Sequence, residues 1–138
     1  MKQKDLGRFN TMYVVLDNGC WQWIRGKGKA GYGHFWLDGK TRDAHVVSYN
    51  HYVGPVPKGK VLDHFKCDNR ACCNYEHVKP VTKAANTMRG NGVMAVNARK
   101  THCPKGHRLS GKNVRIADGR RHCRACRKLM MERKKVSA

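Results

Sequence analysis

Short apolar, β-prone runs, one of them in partial alternation with polar residues, occupy the first third of the chain and predict strands. Tyr13 to Leu16 is a continuous apolar run, and the turn signal Asp17-Asn18-Gly19 follows it. Partial alternation begins after Cys20. Residues 20 to 43 are predicted to form a small antiparallel hairpin or meander, because a Gly-rich loop and the pair Asp38-Gly39 separate their apolar runs. The tryptophans of this stretch are interpreted either as core residues or as stacking platforms for bases.

A helical spacing replaces the alternation at residue 44. Apolar residues recur at i, i+3 and i+7 from Val46, which predicts a helix over residues 44 to 53. The Gly54-Pro55 pair then ends the helix. His45 and His51 on this helix are interpreted as structural or exposed residues and not as metal ligands.

Residues 61 to 90 are the densest part of the chain in polar, chemistry-bearing side chains. A short β-prone run predicts a strand that ends at Asp63, and a second strand is predicted from 77 to 81. Thr82 has the character of an N-cap for a helix from 83 to 89. The expected unit is therefore strand, loop, strand, helix.

Four polar residues of this unit form a candidate catalytic set. In chain order they are Asp63, His64, Asn74 and Asn86. A neutral imidazole can accept a proton near pH 7, since its unperturbed pKa is roughly 6.5. Taken singly, an Asp-His pair is often accidental and an asparagine is more often a turn or cap residue. Their joint order and spacing are what indicate a site.

Short motifs follow one another in a fixed order here: Asp-His at 63–64, Cys-Asp-Asn at 67–69, Arg-Ala-Cys at 70–72, Cys-Asn-Tyr-Glu-His at 73–77 and Val-Thr-x-x-x-Asn at 81–86. This order resembles the HNH endonucleases, in particular the phage and intron-encoded branch with a ββα-metal fold. The resemblance extends upstream through Gly19-Cys20-Trp21, Gly31-Tyr32-Gly33 and Ala44-His45. It covers roughly residues 19 to 90.

The resemblance implies a role for each member of the set. His64 would be the general base that activates water, and Asn74 would hold its ring through a hydrogen bond. Asp63 and Asn86 would bind a catalytic Mg²⁺ or Mn²⁺, for which oxygen ligands are suited. The implied fold class is α+β: a ββα-metal core preceded by a small antiparallel hairpin and a helix, and followed by a small zinc-stapled domain.

The cysteines fall into two groups that predict structural zinc. The N-terminus lacks the apolar segment of an export signal, and in a reducing compartment clustered cysteines more often bind metal than form disulfides. The first group is expected to be a tetrahedral site, with loose thiols in a small core as the alternative. Its members are Cys20, Cys67, Cys72 and His77, which leaves Cys73 as a buried free thiol.

The second group has the spacing C-x3-H followed by C-x2-C on two knuckles joined by a hairpin-like stretch. Four such ligands close a zinc site and leave no open catalytic position. The group resembles the zinc-ribbon-like tails of some phage HNH proteins, and residues 127 to 136 after it are helix-prone. Its members are Cys103, His107, Cys123 and Cys126.

Charge points to nucleic acid as the partner. The chain has 29 Lys and Arg against 9 Asp and Glu, which gives a net charge of +20. Such a charge favours a polyphosphate ligand such as nucleic acid. The alternative is a ribosomal-type protein or one that is cationic without a specific polyphosphate ligand. No apolar run is long enough for a membrane span. The residues expected to contact DNA are Lys27, Lys29, Arg42, Arg115, Arg120, Arg121, Arg124, Arg127 and Lys128.

The predicted organisation is an N-terminal segment (1–18), an HNH nuclease domain (19–90), a linker (91–100) and a zinc-binding basic DNA-binding tail (101–138). The resulting hypothesis is a homing-like endonuclease that acts on double-stranded DNA as a monomer or weak dimer and makes single- or double-strand cuts. A phage origin and a bacterial cytoplasm are what the resemblance implies. The alternative is a non-catalytic zinc-containing nucleic-acid-binding protein.

Overall fold

The computed structural model describes residues 1 to 136. The strands within this range form two-stranded antiparallel sheets. The chain divides into two compact units, Met1–Asn86 and Thr87–Ala138. The mixed α+β class is confirmed. The elements up to the end of the first unit are α1 (Gln3–Asn10), β1 (Tyr13–Val15), β2 (Trp21–Trp23), β3 (His34–Leu37), β4 (Lys40–Asp43), α2 (Ala44–Tyr52), β5 (Lys60–Asp63), β6 (Lys79–Thr82) and α3 (Lys83–Arg89), which crosses the boundary.

The hairpin of β3 and β4 turns at the pair that the sequence indicates. The two strands are joined by Asp38-Gly39, and φ is positive at both residues, at 50° and 73°. A two-residue turn of this kind matches the twist of the paired strands, and glycine adopts positive φ without strain. The turn predicted here is therefore confirmed.

The predicted meander over residues 20 to 43 is divided in the structure. β2 pairs with β1 in the register Val15↔Trp21 and not with β3. The other edge of β2 is occupied, because the N–H of Trp23 donates to the carbonyl of Ala71 at 2.8 Å and the N–H of Cys73 donates to the carbonyl of Trp21 at 2.9 Å. A segment distant in sequence thus takes the edge that β3 would have used.

An aromatic core holds the first unit together. Phe9, Trp23 and Phe35 are fully buried and meet at ring-centroid distances of 5.1 to 6.1 Å. Phe9 comes from α1, so the N-terminal segment is part of this core. Gly33 lies against Trp23, where an added Cβ would approach the ring to 2.4 Å. Trp23 is thus a core residue, whereas Trp36 is 57% exposed.

The strand, strand, helix unit predicted for residues 61 to 90 is present with one shift. β6 begins at Lys79, two residues later than predicted, because Tyr75–His77 form a 3₁₀ turn. β5 and β6 pair with Asp63 opposite Lys79. Thr82 caps α3, as its Oγ1 accepts the N–H of Ala85 at 3.1 Å.

The second unit has little apolar interior. Residues 91 to 100, predicted as a linker, are largely helical, and the helix in that stretch, Val93–Arg99, buries Ala95. The final helix, which the sequence predicts from residue 127, begins at Arg124, directly after the second strand of the hairpin. The elements are α4 (Val93–Arg99), β7 (Val114–Ala117), β8 (Arg120–Cys123) and α5 (Arg124–Val136).

Candidate active site and metal centres

His64 is held at the end of β5 by a bond to the main chain. Its Nε2 lies 2.9 Å from the carbonyl oxygen of Cys72. A carbonyl can only accept, so Nε2 carries the ring proton and Nδ1 is the basic nitrogen. The side chain is only 5% exposed. This geometry fixes which nitrogen of His64 can take up a proton.

Asn74 does a different task from the one expected. Its Nδ2 donates to the carbonyl of Gly19 at 2.9 Å, and its Oδ1 accepts the N–H of Glu76 at 2.9 Å. The bond expected from Asn74 to the His64 ring is made instead by the Cys72 carbonyl. Asn74 therefore braces the loop that carries this carbonyl.

The two expected metal ligands lie on the first strand and on the helix of the ββα unit. Asp63 is the last residue of β5 and is 4% exposed. Asn86 lies one turn into α3, half-buried. A carboxylate and an amide oxygen are a donor set that fits Mg²⁺. The capping bond of Thr82 orders the first turn of the helix that carries Asn86.

Two further rings pack against His64, and sequence reasoning did not assign them to the site. The ring of His45 lies 5.0 Å from that of His64, and Tyr32 stacks at 6.0 Å. His45 is 6% exposed, and its Nδ1 has no hydrogen-bond partner among the residues described. Burial, followed by the charge of His64, lowers the pKa of His45 to about 3, so its ring is neutral near pH 7. The only sequence signal was the position of Tyr32 and His45 within the upstream motifs.

The first cysteine and histidine group is brought together from separate segments. The Sγ atoms of Cys20 and Cys72 lie 3.6 and 3.7 Å from Nδ1 of His77. Together with Cys67, all four ligand atoms lie within 4.8 Å of one another. A tetrahedral zinc site has N···S and S···S edges of about 3.5 to 3.8 Å, given its bond lengths. This group can therefore hold zinc.

The second group closes in the same way around the hairpin of the second unit. Nδ1 of His107 lies 3.5 Å from Sγ of Cys103 and 3.3 Å from Sγ of Cys126, and the two sulfurs are 3.6 Å apart. Cys123 completes the set. The donors fit zinc in number, type and spacing, as the sequence predicted.

The ligand thiols of the two groups differ in how readily they ionise. Burial raises the pKa of the Cys72 thiol to about 12, so a nearby positive charge is what would make it a thiolate. In the second group the N–H of Cys126 lowers the pKa of Cys123 to about 6, while desolvation raises the pKa of Cys126 to about 11. Cys73 lies outside both groups, and burial raises its pKa as well.

The predicted DNA-contact residues are exposed, but they are not equivalent. Lys27, Lys29 and Arg42 lie on the loop and hairpin of the first unit. The guanidinium of Arg121 donates hydrogen bonds to the carbonyls of Asn97 and Lys100, so it caps the C-terminal end of α4. The others lie on the hairpin and last helix of the second unit, and they are Arg115, Arg120, Arg124, Arg127 and Lys128.

A strand ending in Asp-His, its antiparallel partner and the helix that follows define a ββα-metal type of nuclease domain. Residues 42 to 88 match the family model described as HNH endonuclease. This segment of the chain is therefore similar to an HNH endonuclease domain.

Three phage proteins are similar to the chain. "Protein 2.8" of Escherichia phage T7 is 35% identical over 100 residues, 72% of this chain and 64% of that protein. "Protein 7.7" of the same phage is 38% identical over 68 residues, 49% of this chain and 52% of its own length. "Uncharacterized gene 5.3 protein" of Enterobacteria phage T3 is 37% identical over 47 residues, 34% and 46% respectively. The chain thus spans less than two thirds of each relative.

No solved structure matches the chain significantly. Among the helices of residues 1 to 136, none has the length and apolarity needed to cross a bilayer.

Proposed function

We propose that this protein is a divalent-metal-dependent DNA endonuclease that hydrolyses phosphodiester bonds. His64 is the general base, and Asp63 and Asn86 hold Mg²⁺ or Mn²⁺. The observation that carries the proposal is the bond from Nε2 of His64 to the Cys72 carbonyl, next to the carboxylate of Asp63. This bond supports the assignment of Nδ1 as the atom that accepts the proton of the attacking water.

The other residues of the site act by holding this base. Asn74 ties its loop to Gly19, and the rings of Tyr32 and His45 pack beside the imidazole. Because His45 stays neutral, it adds no charge that would repel the imidazolium formed when His64 takes up a proton. When bound, the divalent cation supplies charge that stabilises the scissile phosphate and the leaving oxygen.

Zinc has a structural role in the proposal. Each of the two groups, one around His77 and one around His107, supplies four protein ligands. A zinc ion with four protein ligands has no coordination position left for substrate. Cys72 links the two functions in the first unit, because its thiol belongs to a zinc group while its carbonyl orients His64. The substrate is double-stranded DNA in the cytoplasm of a bacterial host. The enzyme is of homing-like type and acts as a monomer or weak dimer.

The test is cleavage of supercoiled plasmid with Mg²⁺, which separates nicked from linear product. His64→Ala is expected to lower the rate by about 10²- to 10⁴-fold, the usual contribution of a general base. His51→Ala is the matched control, since His51 also lies on the first unit but contacts Tyr52. Omitting the divalent ion is preferred to a strong chelator, which would also strip zinc.

Equal cleavage by the parent and His64→Ala would reject the base assignment. If the parent binds DNA but does not cut with Mg²⁺ or Mn²⁺ on several sequences, the alternative takes its place. That alternative is a zinc-containing nucleic-acid-binding protein without catalysis, and the positive charge of the second unit is the observation in its favour.

A further inference from the structure

The second unit repeats a local architecture of the first. In both, a hairpin with an Asp-Gly turn runs directly into a helix: β3, β4 and α2 in one unit, β7, β8 and α5 in the other. The registers coincide when they are counted from the turn, with Leu37 opposite Lys40 in one and Ala117 opposite Arg120 in the other. Positions of the two segments can therefore be compared one by one.

The corresponding positions differ in kind. In the first unit this face carries Phe35, Ala44 and Val47, all buried in the aromatic core. The positions that match them in the second unit are Arg115, Arg124 and Arg127, all exposed. An apolar face that other elements cover in one segment is thus a cationic face in the other.

This cationic face is concave. A groove of about 480 Å³ lies between β7 and α5. It is lined by Arg115 from the strand and by helix residues spaced i, i+3, i+4 and i+7, which share one face. The helix residues are Arg124, Arg127, Lys128 and Met131. No carboxylate is among the lining residues, and beyond residue 87 the sequence contains only two acidic side chains, Asp118 and Glu132.

We propose that this groove, which we call the arginine groove, binds the phosphodiester backbone of duplex DNA. It takes phosphates, since guanidinium groups that line a shallow groove match phosphate oxygens. Charge complementarity decides the occupant. Lys128 has Glu132 as a partner at 3.9 Å, whereas Arg115, Arg124 and Arg127 form a cluster of three neighbouring guanidinium groups that a polyanion can neutralise. The proposal rests on the proposed function for the choice of DNA alone.

The zinc group holds the two walls of the arginine groove in place. Cys126 lies on α5 between Arg124 and Arg127, and Cys123 ends β8. Asn113 adds a second tie, because its Oδ1 accepts the N–H of Ala125 at 2.9 Å. The cations are therefore presented on a braced hairpin and helix.

The test measures binding of the full-length protein to a labelled duplex of arbitrary sequence, without Mg²⁺ and over a range of salt concentrations. The variant R124Q/R127Q is compared with R108Q/K112Q, which removes the same charge from the same unit outside the groove. R124Q/R127Q is expected to weaken binding at least about tenfold and to reduce the slope of log K against log salt by about 2, at roughly 0.9 per lost phosphate contact. The control pair is expected to leave both nearly unchanged.

Equal losses in the two double variants would overturn the proposal, because net charge and not the groove would then hold DNA. An unchanged slope in R124Q/R127Q would overturn it as well. Zinc content verifies folding, and if R124Q/R127Q loses zinc, Arg115→Gln on the opposite wall gives the answer with an expected slope change of about 1. Because DNA binding is measured without cleavage, the result for the arginine groove can be interpreted even if the nuclease proposal fails.

Discussion

The two hairpin and helix segments have the same backbone plan, but different interactions stabilise them. In the first, Phe35 and Val47 face an interior shared with Phe9 and Trp23. In the second, Cys123 on the hairpin and Cys126 on the helix belong to a group that could hold zinc, and a bound ion would join the helix to its hairpin. The Asp-Gly turn and the helix that follows thus specify the local backbone shape. The side chains on the inner face of the helix decide whether apolar burial or metal binding keeps the segment folded.

The two metal groups differ in the same sense. Cys20, Cys72 and His77 of the first unit are buried, so zinc bound there would add to an existing core. All four ligands of the second group are half-exposed, and Ala95 is the one buried apolar residue among those described after residue 87. Structural zinc should therefore account for most of the folding free energy of the second unit and a smaller share in the first.

Removing a ligand from the second group is expected to have the largest effect. Cys126→Ser should unfold residues 101 to 136, because structural zinc in small domains contributes about 10 to 16 kcal/mol of apparent binding energy. Limited proteolysis should cut the second unit while the first stays resistant, and zinc content should fall by one ion per chain. Cys73→Ala is the control, since Cys73 belongs to neither group. A protease-resistant tail in Cys126→Ser would show that packing, not metal, holds this unit.

A substitution in the aromatic core of the first unit tests the other half of the comparison. Trp23→Ala removes a fully buried ring and is expected to cost the first unit about 3 to 5 kcal/mol, as large-to-small core changes do. Urea unfolding measures this loss, and the second group should retain its zinc. Trp36→Ala is the matched control, because that ring is mostly exposed and its loss should change stability by about 0.5 kcal/mol or less. A small effect of Trp23→Ala would mean that zinc dominates the first unit as well.

Local signals explain what could be predicted from sequence. Strand β5, the Thr82 cap and the Asp-Gly turns depend on neighbouring residues only, and the spacing of the cysteines limits how their ligands can meet. The four members of the second metal group lie on two short knuckles. For this reason the sequence predicted these features at the correct residues.

Long-range contacts explain what could not be predicted. The edge of β2 is filled by residues 71 to 73, so its pairing depends on a segment far along the chain. His45 meets His64 through the folding of α2 against β5, and no spacing rule indicates this contact. Arg115 and Arg124 were predicted as DNA contacts, but only the register of the hairpin shows that they share a groove.

The buried ring of His45 gives the first unit a pH dependence that the second lacks at the matching position, which is Ala125. Its pKa is about 3 in the folded chain and near 6.5 when unfolded, so the stability it contributes is complete above about pH 6.5 and falls as pH drops toward 3. Between pH 6.5 and 4.5 the parent should lose about 2 to 3 kcal/mol more than His45→Phe, at roughly 1.4 kcal/mol per pH unit. Guanidinium unfolding across this range measures the difference.

Loss of zinc ligands at low pH affects the parent and His45→Phe alike, so the difference between them reports on His45 and its coupling to His64. His51→Phe is the control, because it replaces another histidine of α2 that is less buried. If His45→Phe follows the parent at every pH, the ring of His45 is not neutralised by burial.

The smallest expected effect concerns the helix that carries Asn86. Thr82→Ala removes the acceptor for the N–H of Ala85 and should lower the stability of the first unit by about 1 kcal/mol, the usual cost of losing an N-cap. Because the first turn of α3 orders Asn86, the Mg²⁺ concentration needed for half-maximal cleavage should also rise. Thr41→Ala on exposed β4 should change neither quantity. If Thr82→Ala lowers stability but leaves the Mg²⁺ requirement unchanged, Asn86 is not a ligand of the catalytic ion.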